Sequence, residues 1–428
     1  MSLSITARLA AAYAVKEVII SSAQMETALA AQPGFMDMAP RDRAFARLIA
    51  ATTFRRLGQI DAVLKQFLRR KPAPLAHAVL RTASAQILFL KTPAHAAVGE
   101  SVTLLKGNHK TRAFAGMVNA VLRKVVEQGP KILATIPPAQ NIPGWLRNSW
   151  ETAYGKPALR RMAVELSKEP PLDIFISKNM ADWTQKLEGE LVDAHTCRLE
   201  KASHIPSLAG FETGEWWVQD VAASQPVNML GDITGLKVLD LCAAPGGKTL
   251  QLASKGAQVT AIDKSERRLD RLRENLDRTG LKADIVVADA LEWATTTEQR
   301  FDVVLLDAPC SATGTYRRHP DVLYNKVPKT VSSLGHVQRK LLDAATELTA
   351  SHGRLVYCSC SLQPEEGEGQ AESFLSRHPD WKLATPTVIP LQKWDDDILK
   401  KTYFRSLPHF GREMGGMDGF FTVIFRPQ

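Results

Sequence analysis

Val238-Leu239-Asp240-Leu241-Cys242-Ala243-Ala244-Pro245-Gly246-Gly247-Lys248-Thr249 is the stretch that decides the fold. Its first four residues read as an apolar strand, and its two glycines allow a tight turn and a close backbone approach to a ligand. A phosphate loop is excluded, because Cys242 stands where that motif needs its first glycine. A helix through Leu252 follows. Further strands are expected at residues 259–263, 285–289, 301–307 and 354–358, with a long helix at 266–278 between the first two. Strands alternating with helices predict a parallel, doubly wound, Rossmann-like α/β sheet. Such sheets bind ligands at the carboxyl ends of their strands, next to the switch point.

The residues at those ends are chemical. Asp263 closes the second strand, about 20 residues on, where a carboxylate can accept hydrogen bonds from both ribose hydroxyls. Asp289 closes the third, where it can meet an adenine edge. Asp240, Asp263 and Asp289, three acids at successive strand ends with no pyrophosphate site, fit S-adenosylmethionine better than a dinucleotide. The turn Cys242, Ala243, Ala244, Pro245, Gly246, Gly247 and Lys248, with Asp263, Asp289 and Asp307, is the expected cofactor site. The competing reading is that each strand-terminal Asp caps the helix that follows it.

Working outward, the 428 residues suggest roughly three domains. Residues 1–138 are expected to be all-α: apolar residues recur at three- and four-residue steps through residues 43–68, and shorter helical patterns follow at 79–90, 96–105 and 114–126. Prolines 137, 138 and 143 mark a linker, and residues 139–225 read as that linker plus a small α+β segment. The α/β domain is placed at 226–428. Of the net charge of +9, residues 1–140 carry 19 Lys+Arg against 7 Asp+Glu, or +12, which leaves −3 for the remainder. That asymmetry points to an anion-binding module on a near-neutral body, with nucleic acid favoured over a merely solvated basic domain. Composition excludes a largely disordered chain. No apolar run is long enough to span a bilayer. Five cysteines in no regular framework argue for a reducing cytoplasm, and a monomer with no membrane or metal partner is expected.

Two cysteine-bearing segments follow neighbouring strands: Asp307-Ala308-Pro309-Cys310-Ser311-Ala312-Thr313-Gly314 and Tyr357-Cys358-Ser359-Cys360-Ser361. Two thiols at adjacent strand ends can face one pocket. A closed zinc site wants four ligands, and no second cysteine pair has metal-ligand spacing. A redox disulfide lacks the usual two-residue spacing. Cys197 and Cys242 read as buried structural thiols.

These segments, with Cys242 to Lys248, Pro364-Glu365-Glu366, Trp217-Val218-Gln219-Asp220, Arg317-Arg318-His319-Pro320-Asp321 and Asp418-Gly419-Phe420-Phe421, resemble the RNA cytosine-5 methyltransferases of the NOL/NOP/Sun family. The helical first domain resembles NusB, an RNA-binding fold. The combined resemblance implies S-adenosylmethionine-dependent methylation of carbon 5 of a cytosine in small-subunit (16S) ribosomal RNA. It implies Cys360 as the nucleophile that adds to carbon 6, and Cys310 as the thiol assisting product release. Asp307 falls between cofactor and base, and Lys248 near the target base. Cys358, where the family has a small residue, reads as structural. RNA contacts are expected from Arg41, Arg43, Arg55, Arg56, Arg69, Arg70, Lys71, Lys106, Lys110 and Arg112. Two positions depart from the family pattern: Ser359 replaces a threonine and Gly367 an asparagine. Transfer RNA as substrate and a non-enzymatic ribosome-assembly factor remain as alternatives. An amino-group methyltransferase would carry an acid or amide followed by Pro-Pro and an aromatic, where this chain has Asp-Ala-Pro-Cys.

Overall fold

The computed structural model describes residues 6–200, 205–388, 391, 394, 399–400 and 402–428. The chain divides into two units: Met1–Lys168 with Tyr316–Val327, and Glu169–Thr315 with Pro328–Gln428.

The first unit is helical: α1 (Ala7–Ser21), α2 (Met25–Ala30), α3 (Pro40–Arg55), α4 (Leu57–Lys65), α5 (Pro74–Leu88), α6 (Ala94–Lys106), α7 (Ala115–Leu133) and α8 (Gly144–Leu166). The buried face of α1 carries Ala10, Ala11, Ala14, Val15 and Val18, small enough for α3 and α5 to pack closely on it. Ile60, Val63, Val79, Leu122 and Val125 form a second cluster, where α4, α5 and α7 meet. The apolar run at residues 43–68 is two helices, not one, because the backbone leaves helical geometry at Arg56 (φ −118°, ψ 11°). The helical unit also runs past residue 138 to include α8, which Gly155 breaks with φ 79° and ψ 160°.

The segment Tyr316–Val327 belongs to this helical unit. The Asp321 carboxylate accepts from the Met25 backbone N–H at 2.9 Å and so caps α2, whose own N-cap, Gln24, makes no side-chain cap. Arg55 Nη2 donates to the Arg317 carbonyl at 2.8 Å, and the Tyr324 hydroxyl donates to the Asn141 carbonyl at 2.6 Å.

The second unit holds two sheets. The smaller is antiparallel, in the order β2-β3-β1-β4, from β1 (Leu172–Ile176), β2 (Glu190–Leu191), β3 (Thr196–Leu199) and β4 (Trp216–Val218). At its centre Arg198 meets the fully buried Asp173 through two bonds of 2.6 and 2.7 Å. Between β1 and β2 lies α9 (Met180–Lys186), and α10 (Val221–Asn228) follows β4. The larger sheet contains β5 (Lys237–Leu241), β6 (Gln258–Asp263), β7 (Asp284–Val287), β8 (Phe301–Asp307) and β9 (Thr349–Ser359), all parallel in the order β9-β8-β5-β6-β7. Helices α11 (Gly247–Ser254), α12 (Glu266–Thr279), α13 (Ala290–Thr296) and α14 (Pro328–Leu348) connect them. Beyond β9 come α15 (Glu368–Arg377), β10 (Trp381–Leu383), β11 (Leu399–Lys400), β12 (Tyr403–Ser406) and β13 (Phe420–Pro427). β13 pairs antiparallel with β9, so the sheet is mixed and not wholly parallel as the strand–helix alternation suggested. Leu239, Val303, Val304, Leu305 and Leu306 are fully buried, as strands covered on both faces require. The strand order reverses between β5 and β8, and the turn following β5 opens at that point. Among the described residues no helix is long and apolar enough to cross a membrane.

Asp321→Ala should leave the buried Met25 N–H without its acceptor, lowering stability by about 1–2 kcal/mol. Thermal unfolding checks this, with Asp321→Asn expected to restore part of the loss.

Candidate active site

The turn after β5 bends through two left-handed residues, Cys242 (φ 63°) and Gly246 (φ 109°). At Gly246 a side chain is excluded twice: by that φ, and because a Cβ would lie 2.4 Å from Leu272 Cδ1. The turn is tied to β6. Ala243 N–H donates to the Ile262 carbonyl at 2.9 Å, and Ala244 N–H donates to Asp263 Oδ2 at 3.2 Å. The other oxygen of Asp263 accepts from Ser265 N–H at 2.9 Å, and Arg268 approaches the carboxylate at 3.4 Å. Asp289 lies two residues beyond β7 and accepts from Leu291 N–H at 2.9 Å, so it does cap the following helix.

Asp240, inside β5, is fully buried. Its Oδ2 accepts from the Thr249 hydroxyl at 2.6 Å, while Oδ1 has no hydrogen-bond partner among the described residues. Burial, reinforced by the neighbouring Asp307 and Asp263 charges, outweighs the Thr249 bond and pushes this carboxyl up to about 7. Burial, with Asp263 and Asp307 nearby, pushes the Cys242 thiol up to about 12, which makes it an inert neutral group.

Asp307 ends β8. Its Oδ2 lies 2.8 Å from Lys248 Nζ, and Cys358 Sγ donates to its Oδ1 at 3.6 Å. Lys248 also lies over the Phe420 ring, 4.9 Å from its centroid. Burial works against the ammonium of Lys248, yet the Asp307 carboxylate holds it charged, above its ordinary value. Cys358 is fully buried, and burial beside Asp307 holds it as a thiol, consistent with a structural part.

Cys310 and Cys360, both half-buried, bring their sulfurs within 3.4 Å. The Cys360 sulfur and burial together push the Cys310 thiol well above its ordinary range. The loops carrying them touch backbone to backbone. Gly314 N–H donates to the Cys360 carbonyl at 2.9 Å, and a Cβ on Gly314 would lie 1.9 Å from the Gly419 carbonyl oxygen.

The basic residues expected to touch RNA divide. Arg41, Arg69, Arg70, Lys71, Lys106, Lys110 and Arg112 are exposed. Arg69, Arg70 and Lys71 line a recess of about 390 Å³ in the helical unit, with Lys65 and the neutral His77, which burial pushes down to about 4. Arg43 reaches the Met36 carbonyl from the surface. Arg55 is corrected: it is buried and bonded to Arg317. Arg56 is half-buried, donates to Gln59 and lies 4.8 Å from the Phe89 ring centroid. Both sit at the break between α3 and α4, where the chain turns their guanidinium groups inward. Sequence reasoning counted Asp240 only among the strand-end acids of the cofactor pocket and gave no role to Glu366. Their signal was a carboxylate inside an otherwise apolar strand and one inside a cysteine motif.

The sheet order, the glycine turn at its switch point and the carboxylates around it define the class: a Rossmann-like methyltransferase. A family model described as "16S rRNA methyltransferase RsmB/F" matches residues 228–426, and one described as "NusB family" matches residues 5–127. The ribosomal RNA small subunit methyltransferase B of Cronobacter sakazakii is 33% identical over 404 residues, covering 90% of this chain and 93% of its own. The protein of the same description from Xanthomonas campestris is 35% identical over 395 residues, covering 88% and 89%. The crystal structure of PH0851 shares the fold over 100% of both chains, with a TM-score of 0.78 at 24% identity. The chain belongs to the RsmB/F methyltransferase family and carries an N-terminal NusB domain; it is an S-adenosylmethionine-dependent RNA methyltransferase. The donor set fits that cofactor, since a buried, unpartnered carboxylate oxygen of Asp240 lies at the β5 end and Asp263 closes β6.

The folded-state value of about 7 for Asp240 lies above the ordinary value of 3.8 for an aspartate. Its protonation therefore stabilises the fold fully below about pH 4, and that contribution is lost as pH rises through 7. Unfolding measured from pH 4 to 8 should show stability falling by up to about 4 kcal/mol from this source. Asp240→Asn should flatten that part of the profile.

Proposed function

We propose that the protein methylates carbon 5 of a cytosine in 16S ribosomal RNA, with Cys360 as nucleophile and Cys310 as the group that releases the product. The observation that carries this reading is the 3.4 Å approach of the two sulfurs at the ends of adjacent strands. Carbon 5 of cytosine is a weak nucleophile until a thiolate adds to carbon 6. The cofactor, when bound, supplies an electrophilic methyl group. The turn Cys242 to Lys248, with Asp240, Asp263 and Asp289, would hold it, and Asp307 is assigned to the space between it and the target base.

Cys360 Sγ, as a thiolate, adds to carbon 6, which makes carbon 5 a nucleophile that bonds to the methyl group as the methyl–sulfonium bond breaks and its electron pair leaves with the neutral thioether. The carbon 5 proton goes to a base, the carbon 6–sulfur bond breaks, and the Cys360 thiolate returns. Cys310 is assigned as that base on electrostatic grounds. What holds its proton is first the neighbouring Cys360 sulfur. Once that sulfur is bonded to carbon 6 it carries no charge, so Cys310 can lose its thiol proton to solvent and, as a thiolate, accept the carbon 5 proton. Lys248 stays charged beside Asp307.

The exposed residues Arg41, Arg69, Arg70, Lys71, Lys106, Lys110 and Arg112, with the half-buried Arg43, lie on a domain matched by the NusB model and are assigned to RNA backbone contacts. Affinity should therefore fall steeply with salt. The target cytosine must be unstacked to reach the thiols. The reading places the enzyme in the cytoplasm as a monomer.

Methyl-labelled S-adenosylmethionine, offered with unmodified 16S ribosomal RNA and transfer RNA in parallel, should give labelled 5-methylcytidine from the ribosomal RNA alone. Label in transfer RNA would overturn the substrate, and another labelled nucleoside would overturn the chemistry. Cys360→Ala should abolish methylation and adduct. Cys310→Ala should accumulate a protein–RNA adduct visible on denaturing gels, and normal turnover by it would overturn the division of roles.

A further inference from the structure

We infer that Glu366 is a positioning residue for the two reacting cysteines: its carboxylate ties the loop after β8 to the loop after β9 and sets the distance between their sulfurs. The inference rests on the cysteine roles proposed above.

Glu366 is completely buried. Its Oε1 accepts from Ser311 N–H at 2.8 Å and from Gln338 Nε2 at 3.1 Å. Its Oε2 accepts from the Ser361 hydroxyl at 2.7 Å and from the Ser311 hydroxyl. These four donors fill the acceptor sites of a carboxylate. Ser311 follows Cys310 directly and Ser361 follows Cys360 directly, so the carboxylate grips each loop one residue from its thiol.

The surrounding bonds reinforce the same geometry. The Ser311 and Ser361 hydroxyls lie 3.1 Å apart, and Leu362 N–H donates to Thr313 Oγ1 at 3.0 Å. Gln338, from α14, also donates to the Pro309 carbonyl at 2.9 Å. The Glu366 backbone carbonyl accepts from the Tyr357 hydroxyl at 2.8 Å and from the Ser359 hydroxyl at 2.9 Å, which fixes Glu366 to β9 itself. Cytosine must meet one sulfur at carbon 6 and the other at carbon 5, so an error in their separation acts on turnover and not on binding. A misplacement of about 1 Å can cost on the order of 100-fold in rate.

The test compares Glu366→Gln, Glu366→Asp and the double variant Ser311→Ala/Ser361→Ala, which keeps the carboxylate but cuts its side-chain ties to both loops. Two readouts are needed. In steady-state methylation, kcat should fall at least about tenfold in Glu366→Asp and in the double variant, with KM for RNA and cofactor within about twofold. Glu366→Gln, which keeps the length and can turn its amide toward the two serine hydroxyls, should fall less. The second readout is binding of phenylarsine oxide, which bridges two close thiols. Affinity should drop about tenfold in the same variants, matching the loss in Cys310→Ala. Unchanged arsenical affinity, or a loss appearing in KM instead of kcat, would overturn the inference. The arsenical readout needs no RNA. A wild-type protein that binds it tightly but makes no 5-methylcytidine would sink the proposed reaction while leaving the positioning role standing.

Discussion

The pairing of β8 with β9 in parallel register, Asp307 opposite Cys358, is the constraint on which the site depends. Two parallel strands that end together deliver their following loops to the same place. Cys310 comes three residues after Asp307 and Cys360 two after Cys358, so the register alone brings the thiols into one neighbourhood. The buried polar knot under the loops narrows that neighbourhood to contact distance. A slip of one residue would turn every side chain of β9 to the opposite face. Cys360 would then leave the pocket, and the aromatic core on Tyr357 and Phe421 would be lost with it.

The charges around this frame are arranged by burial. Asp240 and Asp307 both lie near Lys248. Lys248 forms its ion pair with Asp307, at the strand end, while Asp240 is buried deeper and takes only a hydroxyl. One carboxylate is thereby matched by a cation and the other is held near neutrality, which keeps the anionic cost at the sheet centre low. Cys242 and Cys358 are desolvated into inert thiols by the same surroundings. Reactivity is assigned to the pair whose sulfurs meet, Cys310 and Cys360.

Much of this was legible in the sequence. The apolar strand Val238 to Leu241, the glycines after it and the alternation to residue 358 were enough to place the sheet and its switch point, since central parallel strands are nearly continuous apolar runs. The pairing of Cys310 with Cys360 followed from their places after neighbouring strands. The antiparallel edge was not legible: Phe420 to Pro427 reads as one more apolar stretch, and only tertiary pairing with β9 gives it direction. Nor was the inward turn of Arg55 and Arg56, because a guanidinium is buried by whichever carbonyl or ring meets it, and those partners lie far away in sequence. Glu366 was visible only as part of the Pro364-Glu365-Glu366 motif. Its role depends on two hydroxyls from separate loops.

The helical unit is written in the sequence in two pieces, the second lying between Cys310 and α14. A chain growing from its N-terminus completes all eight helices, and then the parallel strands β5 to β8, before Arg317, Asp321 and Tyr324 exist. During that interval the Met25 N–H lacks the Asp321 carboxylate, and the Arg55 guanidinium lacks the Arg317 carbonyl. The domain synthesised first is thus among the last to be finished, and it waits on residues made late in the catalytic sequence. No single cut separates the two units. An early stop codon anywhere before residue 316 would damage the N-terminal end of the molecule as well as the C-terminal one.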